Sequence, residues 1–241
     1  MKPIYILLFL FIFIVKINQT TSHKKNKYYK CGVDSLIDKD VIGIESKPID
    51  PKNSLNRRRL REIDEDGFKN FSIYVDMTNI EKQIELYYFQ SYKDFFINSI
   101  KKVVETLKKL LKAKAFEIDF NLYDEDLYYY FELDYWDEEK FGTEAYDKGI
   151  NIFNLDIDLL IFAKFVNMED EDILASASPM YYLSETNQPI VGMVYINPNI
   201  NFSLINSEEY FKSIILHEFT HILGFWERFF KWAFSSYISK E

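Results

Sequence analysis

Apolar and polar positions along this 241-residue chain fall into three patterns: one unbroken apolar run, several short strand-like stretches, and stripes at helical spacing. The unbroken run is Ile4 to Val15, and from His23 to Arg61 the sequence turns polar and lysine-rich with little periodicity. Phe71 to Val75 alternates and ends at Asp76, which predicts a first strand. A helix is predicted from Tyr87 to Lys112, because Phe96, Ile100, Val103, Val104, Leu107, Leu110 and Leu111 recur at its spacing with lysines opposite. That lysine face suits solvent, with the apolar side packed on a sheet, or else a membrane surface. Phe116 to Leu122 alternates and predicts a second strand. Asp124 to Asp147 is acidic, crowded with tyrosine, and reads as an insertion or irregular hairpin.

Leu155 to Val166 contains Leu-Leu-Ile-Phe-Ala, the mark of a strand buried on both faces. Ile173 to Ser178 and Ile190 to Ile196 predict two more strands, with Glu185 to Pro189 turning between them. Asn197-Pro198-Asn199 breaks the last strand before a final helix. Phe211, Ile215, Phe219 and Ile222 give that helix its packing stripe. Asn206 or Ser207 caps it, Glu208 and Glu209 put negative charge in its first turn, and Gly224 stops it. Strand, helix, strand, more strands and a closing helix make an α+β domain with helices on one sheet.

The closing helix carries the chemistry. His217-Glu218-Phe219-Thr220-His221 is an H-E-x-x-H sequence. Residues four apart on a helix lie one turn above each other, so His217 and His221 share a face. Two imidazoles so placed can bind one tetrahedral zinc ion and leave room for a third ligand and a water. Glu218 sits at the edge of that face, where it can act on the water as general base without being a ligand. The chain has three histidines and two of them fall here.

Composition adds limits. A hydrophobic fraction of 48% and an aromatic fraction of 18% describe a packed globular protein. The net charge of −9 speaks against nucleic acid as a partner, since phosphate binding needs a basic face. Lys2 followed by the apolar run reads as a secretory signal over residues 1–22, with an uncleaved anchor as the alternative. The run is short for a membrane span. Asn18, Asn70 and Asn201 head glycosylation sequons, which fits a secreted or cell-surface chain. Cys31 is the single cysteine, so no internal disulfide can form. Arg57-Arg58-Arg59-Leu60-Arg61 is either a processing site or a solvated basic cluster.

The order of these segments resembles the leishmanolysin-like metallopeptidases of the metzincin group. Cys31-Gly32-Val33-Asp34 is similar to the family's pro-region cysteine motif, and Phe71 to Asp76 to its first mature strand. Asp158 to Ala163 resembles the strand before the substrate-binding edge. Ala175-Ser176-Ala177 and Gln188-Pro189-Ile190-Val191-Gly192, followed by Asn197-Pro198, resemble the alanine-rich and Arg-Pro-x-x-Gly segments. His217 to Phe225 resembles the active-site helix.

The resemblance implies a metzincin-like N-terminal subdomain with a twisted, mainly mixed sheet and a C-terminal zinc-binding helix. It implies a secreted or surface zinc endopeptidase acting on polypeptides and made as a latent precursor, with one zinc ion on His217 and His221 and Glu218 as base. Cys31 becomes the inhibitory thiolate. The family supplies a third histidine and a methionine turn downstream, but no histidine follows His221 and no methionine follows Met193. The position of the ordinary metzincin third ligand holds Glu227, a carboxylate able to take that place. The expected layout is signal peptide 1–22, pro-segment 23–61, catalytic subdomain 62–225 and aromatic tail 226–241, the last suited to a membrane or partner, with the C-terminal subdomain missing. An extended substrate is expected to pair with a sheet edge near Ile173 to Ile196. Two functions follow: a zinc metalloendopeptidase, or a truncated, inactive pseudoprotease acting as a binding or cell-surface module.

Overall fold

Strands with no polar face set the architecture. In the computed structural model, which describes residues 42–44, 47–48, 68–86, 92–114, 116–117, 120–123, 125–142, 148–152, 155–168, 172–184, 186–199 and 207–225, three strands are buried almost throughout. They are β7 (Leu159–Phe165), β8 (Ala175–Leu183) and β9 (Pro189–Ile196). Such runs need cover on both faces. With β1 (Ile42–Ile44) and β4 (Ile73–Asp76) they form one mixed sheet in the order β1-β8-β9-β7-β4. β4, β7 and β9 run parallel, while β8 runs antiparallel to β9. β1 pairs parallel with the far end of β8, Ile42 facing Tyr181 and Ile44 facing Leu183.

One face is covered by three helices: α1 (Thr78–Leu86), α2 (Lys93–Leu110) and the closing helix, Glu208–Ile222. α2 buries Phe96, Ile100, Val103, Val104 and Leu107 and leaves its lysines outward. Leu110, expected in that stripe, is 53% exposed. The predicted helix from Tyr87 is corrected to a start at Lys93, and α1, which sequence reading missed, has Ile80 and Ile84 as its fully buried apolar anchors among the described side chains. Two positions one turn apart are too little periodicity to stand out.

The opposite face is covered by the tyrosine-rich stretch, whose described residues, 125–142, include no strand. It contains a single π-helical turn, Asp126–Tyr130, and the short helix α3 (Glu138–Phe141). Leu127, Phe131, Leu133 and Trp136 from it join Leu160, Phe162, Met180 and Met193 of the sheet in a second core. The predicted second strand is also corrected. Among the described residues of that span the strand is limited to Phe116–Glu117 (β6), paired with β2 (Lys47–Pro48), and Leu122 forms an isolated bridge to Ile150. A small ladder of β3 (Phe68–Asn70) and β5 (Lys112–Lys114) precedes β4. The closing helix is α4 hereafter. No described helix is long and apolar enough to cross a membrane.

The α+β class, the mixed sheet and the packed closing helix agree with the sequence reading. Strands β1 and β2 lie within the span read as a pro-segment and pair with β8 and β6 of the main body.

Candidate metal centre

α4 is set by its ends and its buried stripe. Ser207 is the cap, extended at φ −167°, and its hydroxyl accepts from the Tyr210 N–H at 3.2 Å. Phe211, Ile214, Ile215, Phe219 and Ile222 are buried against the sheet and α2. Phe211 meets Phe96 of α2 edge-on with ring centres 5.3 Å apart. Lys102 of α2 bonds Glu208 at 2.5 Å, and that lysine holds the Glu208 carboxyl below its ordinary range.

At the other end the chain leaves the helix through Gly224, whose φ is +95°. Phe225 N–H donates to Thr220 O at 2.9 Å and Gly224 N–H to His221 O at 3.1 Å, the two bonds of a Schellman stop. This stop has a chemical consequence. It brings the Phe225 carbonyl within 3.0 Å of His221 Nδ1. A carbonyl only accepts, so Nδ1 carries the proton and the Nε2 lone pair of His221 is left for a metal.

The two imidazoles stand as the spacing requires. His217 Nε2 and His221 Nε2 are 3.0 Å apart, and the rings cross at 84°. With Glu218 they form a group whose ligand atoms all lie within 4.8 Å of one another, the one such group among the described residues. Both histidines are half-buried, and Glu218 is fully buried. The donor set fits zinc: two facing imidazole nitrogens, one with its tautomer fixed from behind, and a carboxylate at hand.

Burial, and then the neighbouring His221, lowers the His217 pKa to about 4, which keeps its ring neutral and ready to ligate. Burial raises Glu218 to about 9. The Ala177 backbone N–H of β8 donates to the Glu218 carboxylate and opposes that rise. Glu218 is thereby tied to β8.

The sheet order narrows which part of Ile173 to Ile196 can be an edge. β9 lies inside the sheet between β7 and β8, and Tyr181–Leu183 of β8 is paired with β1. The part of β8 with no strand on its outer side, among the described residues, is Ala175 to Met180. A cavity of about 540 Å³ beside β4, lined by Tyr74, Glu81, Lys101 and Asp137 among others, shares no lining residue with the metal group.

Of the residues singled out in the sequence, the structure brings together His217, Glu218 and His221. Asn70 is exposed on β3, in the separate two-stranded ladder with β5, and is not part of that group. Cys31, Glu227, Asn18, Asn201, the signal stretch, the basic run Arg57–Arg61 and the aromatic tail lie outside the described residues. Sequence reasoning missed Ala177 and the Phe225 carbonyl. Both act through backbone atoms, which no side-chain pattern reports.

A mixed sheet carrying a buried helix with two facing histidines and a tethered glutamate defines a metallopeptidase-type site. The family model for leishmanolysin matches residues 145–239, which take in β7, β8, β9 and α4. Over that stretch the chain is similar to the leishmanolysin family, and that likeness, with the His-Glu-His group, points to a metallopeptidase. No curated protein matches the chain.

Proposed function

We propose that this chain is a zinc-dependent metalloendopeptidase that hydrolyses peptide bonds within polypeptides. The observation that carries the proposal is the meeting of His217 Nε2 and His221 Nε2, 3.0 Å apart, with Glu218 buried beside them. In this reading His217 and His221 hold one zinc ion and Glu227 completes its protein ligands. A bound zinc ion supplies Lewis-acid polarisation of the scissile carbonyl and a water acidic enough to ionise near neutral pH. Glu218 takes the proton from the attacking water and passes it to the leaving amine. Its high proton affinity in a dry site favours the first transfer, and positive charge nearby draws its pKa back toward neutrality. Phe225 O keeps His221 in the ligating tautomer, and Ala177 N–H keeps the Glu218 carboxylate aimed at the substrate edge. The backbone of Ala175 to Met180 pairs with the extended peptide.

Peptide hydrolysis by the chain with added zinc, beside its Glu218→Ala variant, tests this. Chelator-sensitive cleavage that vanishes in the variant while zinc binding persists is the expected result. Equal hydrolysis by both would remove Glu218 from its role. Zinc binding with no hydrolysis by either would favour the inactive pseudoprotease, acting as a binding or cell-surface module. Glu227→Ala is expected to loosen zinc, and unchanged affinity would exclude it as a ligand.

The same reading sends the chain outside the cell through residues 1–22 and keeps it latent through 23–61, with Cys31 as the thiolate that takes the open metal position. Residues 62–225 are then the catalytic subdomain, Asn70 and Asn201 carry glycans, and the tail 226–241 meets a membrane or the cell surface. The exposure of Asn70 and the placement of β1 beside β8 are compatible with this layout. N-terminal sequencing of the exported product decides the processing: a start near residue 23 or 62 supports it, and an intact Met1 makes the first stretch an anchor.

A further inference from the structure

We infer that Gly192 is a positioning residue for the metal-ligating helix: the absent side chain at this point of β9 sets how deeply α4 settles on the sheet. The inference rests on the zinc reading above and extends it to a residue with no ligand or proton role.

Gly192 lies mid-strand, opposite Ile161 of β7 and Pro179 of β8. Its φ lies outside the left-handed region, so conformational freedom does not explain a glycine here. A glycine also weakens a strand interior and packs nothing, which leaves close approach as the reason. Val194 and Ile196, two and four residues on, belong to the helix-side core, so a side chain at 192 would rise toward α4. A Cβ built there falls 2.5 Å from Ile222 Cγ2, 3.1 Å from Cδ1 and 3.2 Å from Cγ1. Real Cβ atoms do not come that close, so the Ile222 side chain must shift, and its β-branched χ1, stiff in a helix, passes that shift to the α4 backbone.

Ile222 is fully buried, follows His221 directly and stands one turn beyond Glu218. Raising it raises the turn that bears His221 and Glu218. The Glu218 carboxylate then draws away from Ala177 N–H, and His221 shifts against the Schellman stop that fixes its tautomer. Two contacts thus place the metal group: Ala177 N–H fixes it along the sheet edge, and Gly192 fixes its depth.

The test uses cobalt(II) as the spectroscopic stand-in for zinc, added to the metal-free full chain. Gly192→Ala is expected to weaken cobalt binding by about tenfold or more and to change the visible band that reports ligand geometry. Ile222→Leu removes the Cγ2 branch at nearly constant volume, so the double variant is expected to recover most of the affinity and the wild-type band. Circular dichroism shows whether each chain is folded. Cobalt binding by Gly192→Ala equal to wild type would overturn the inference and leave the zinc reading standing. So would a folded double variant no better than the single one, or a pair that both stay unfolded. Wild type that binds no cobalt would fail before any substitution, and would sink the zinc reading and this inference together.

Discussion

Glu218 carries the largest consequence of any single residue. In the metal-free chain its pKa of about 9 stands above the ordinary 4.5, so between those values the folded state keeps a proton that the unfolded state has lost. Stability therefore falls as pH rises. His217 has the opposite sign: lowered from 6.5 to about 4, its ring is neutral in the fold while the unfolded ring is charged, so stability rises across that window. The two offset each other up to pH 6.5, and beyond it Glu218 acts alone. Chelator-treated protein should lose at most about 1.4 kcal/mol per pH unit from pH 6.5 toward 9 in denaturant melts, and Glu218→Gln should flatten that slope. An unchanged slope in the variant would place its origin elsewhere. Gly224 is the other telling residue. Gly224→Ala puts a Cβ at φ +95° and is expected to cost about 1–2 kcal/mol in thermal unfolding. Loosening the Phe225–His221 bond, it should weaken zinc as well. Loss of stability with zinc affinity intact would separate the stop from the ligand.

At the scale of elements, α4 holds its place through a cap and an aromatic cluster. Ser207→Ala removes one hydrogen bond at an exposed end and should cost about 1 kcal/mol. Phe211→Ala empties a fully buried site between Phe95 and Phe96 and should cost about 3–5 kcal/mol. Comparable losses for the two would mean that α4 is not anchored by that cluster. Long, strongly periodic elements are readable: β7, β9 and α4 lie within a few residues of their expected spans, and α2 ends as expected but starts six residues later. α1 and the cover of the second face are not, because two isoleucines one turn apart and an acidic tyrosine-rich stretch lack a repeating pattern. Leu127, Phe131, Leu133 and Trp136 are buried because the sheet needs a second cover, not because their own sequence demands it.

In the whole molecule, the sheet joins segments far apart in the chain, and one buried ion pair marks such a junction. Lys69 on β3 meets Asp158 at 2.9 Å with both side chains buried, and Asp158 also accepts from the Ser72 N–H at 2.8 Å. Lys69→Ala leaves a buried carboxylate without its cation and should cost about 3–5 kcal/mol in a chemical melt, while Asp158→Asn in the same background should recover part of it. Absence of coupling between the two positions would show that they do not act as a pair.

What the sequence determined by itself was whatever repeats within a few residues. The i, i+4 spacing of His217 and His221, the position of Glu218, the stripe of α4 and the all-apolar run of β7 follow from helix and strand geometry alone. What only the tertiary structure decided depends on which strands lie side by side. It tied Glu218 to the Ala177 amide, pressed Ile222 onto Gly192, put β9 in the interior and left Ala175–Met180 with no strand on its outer side among the described residues. Each of these joins residues tens of positions apart through backbone atoms or empty space, which the periodicity of side chains does not record.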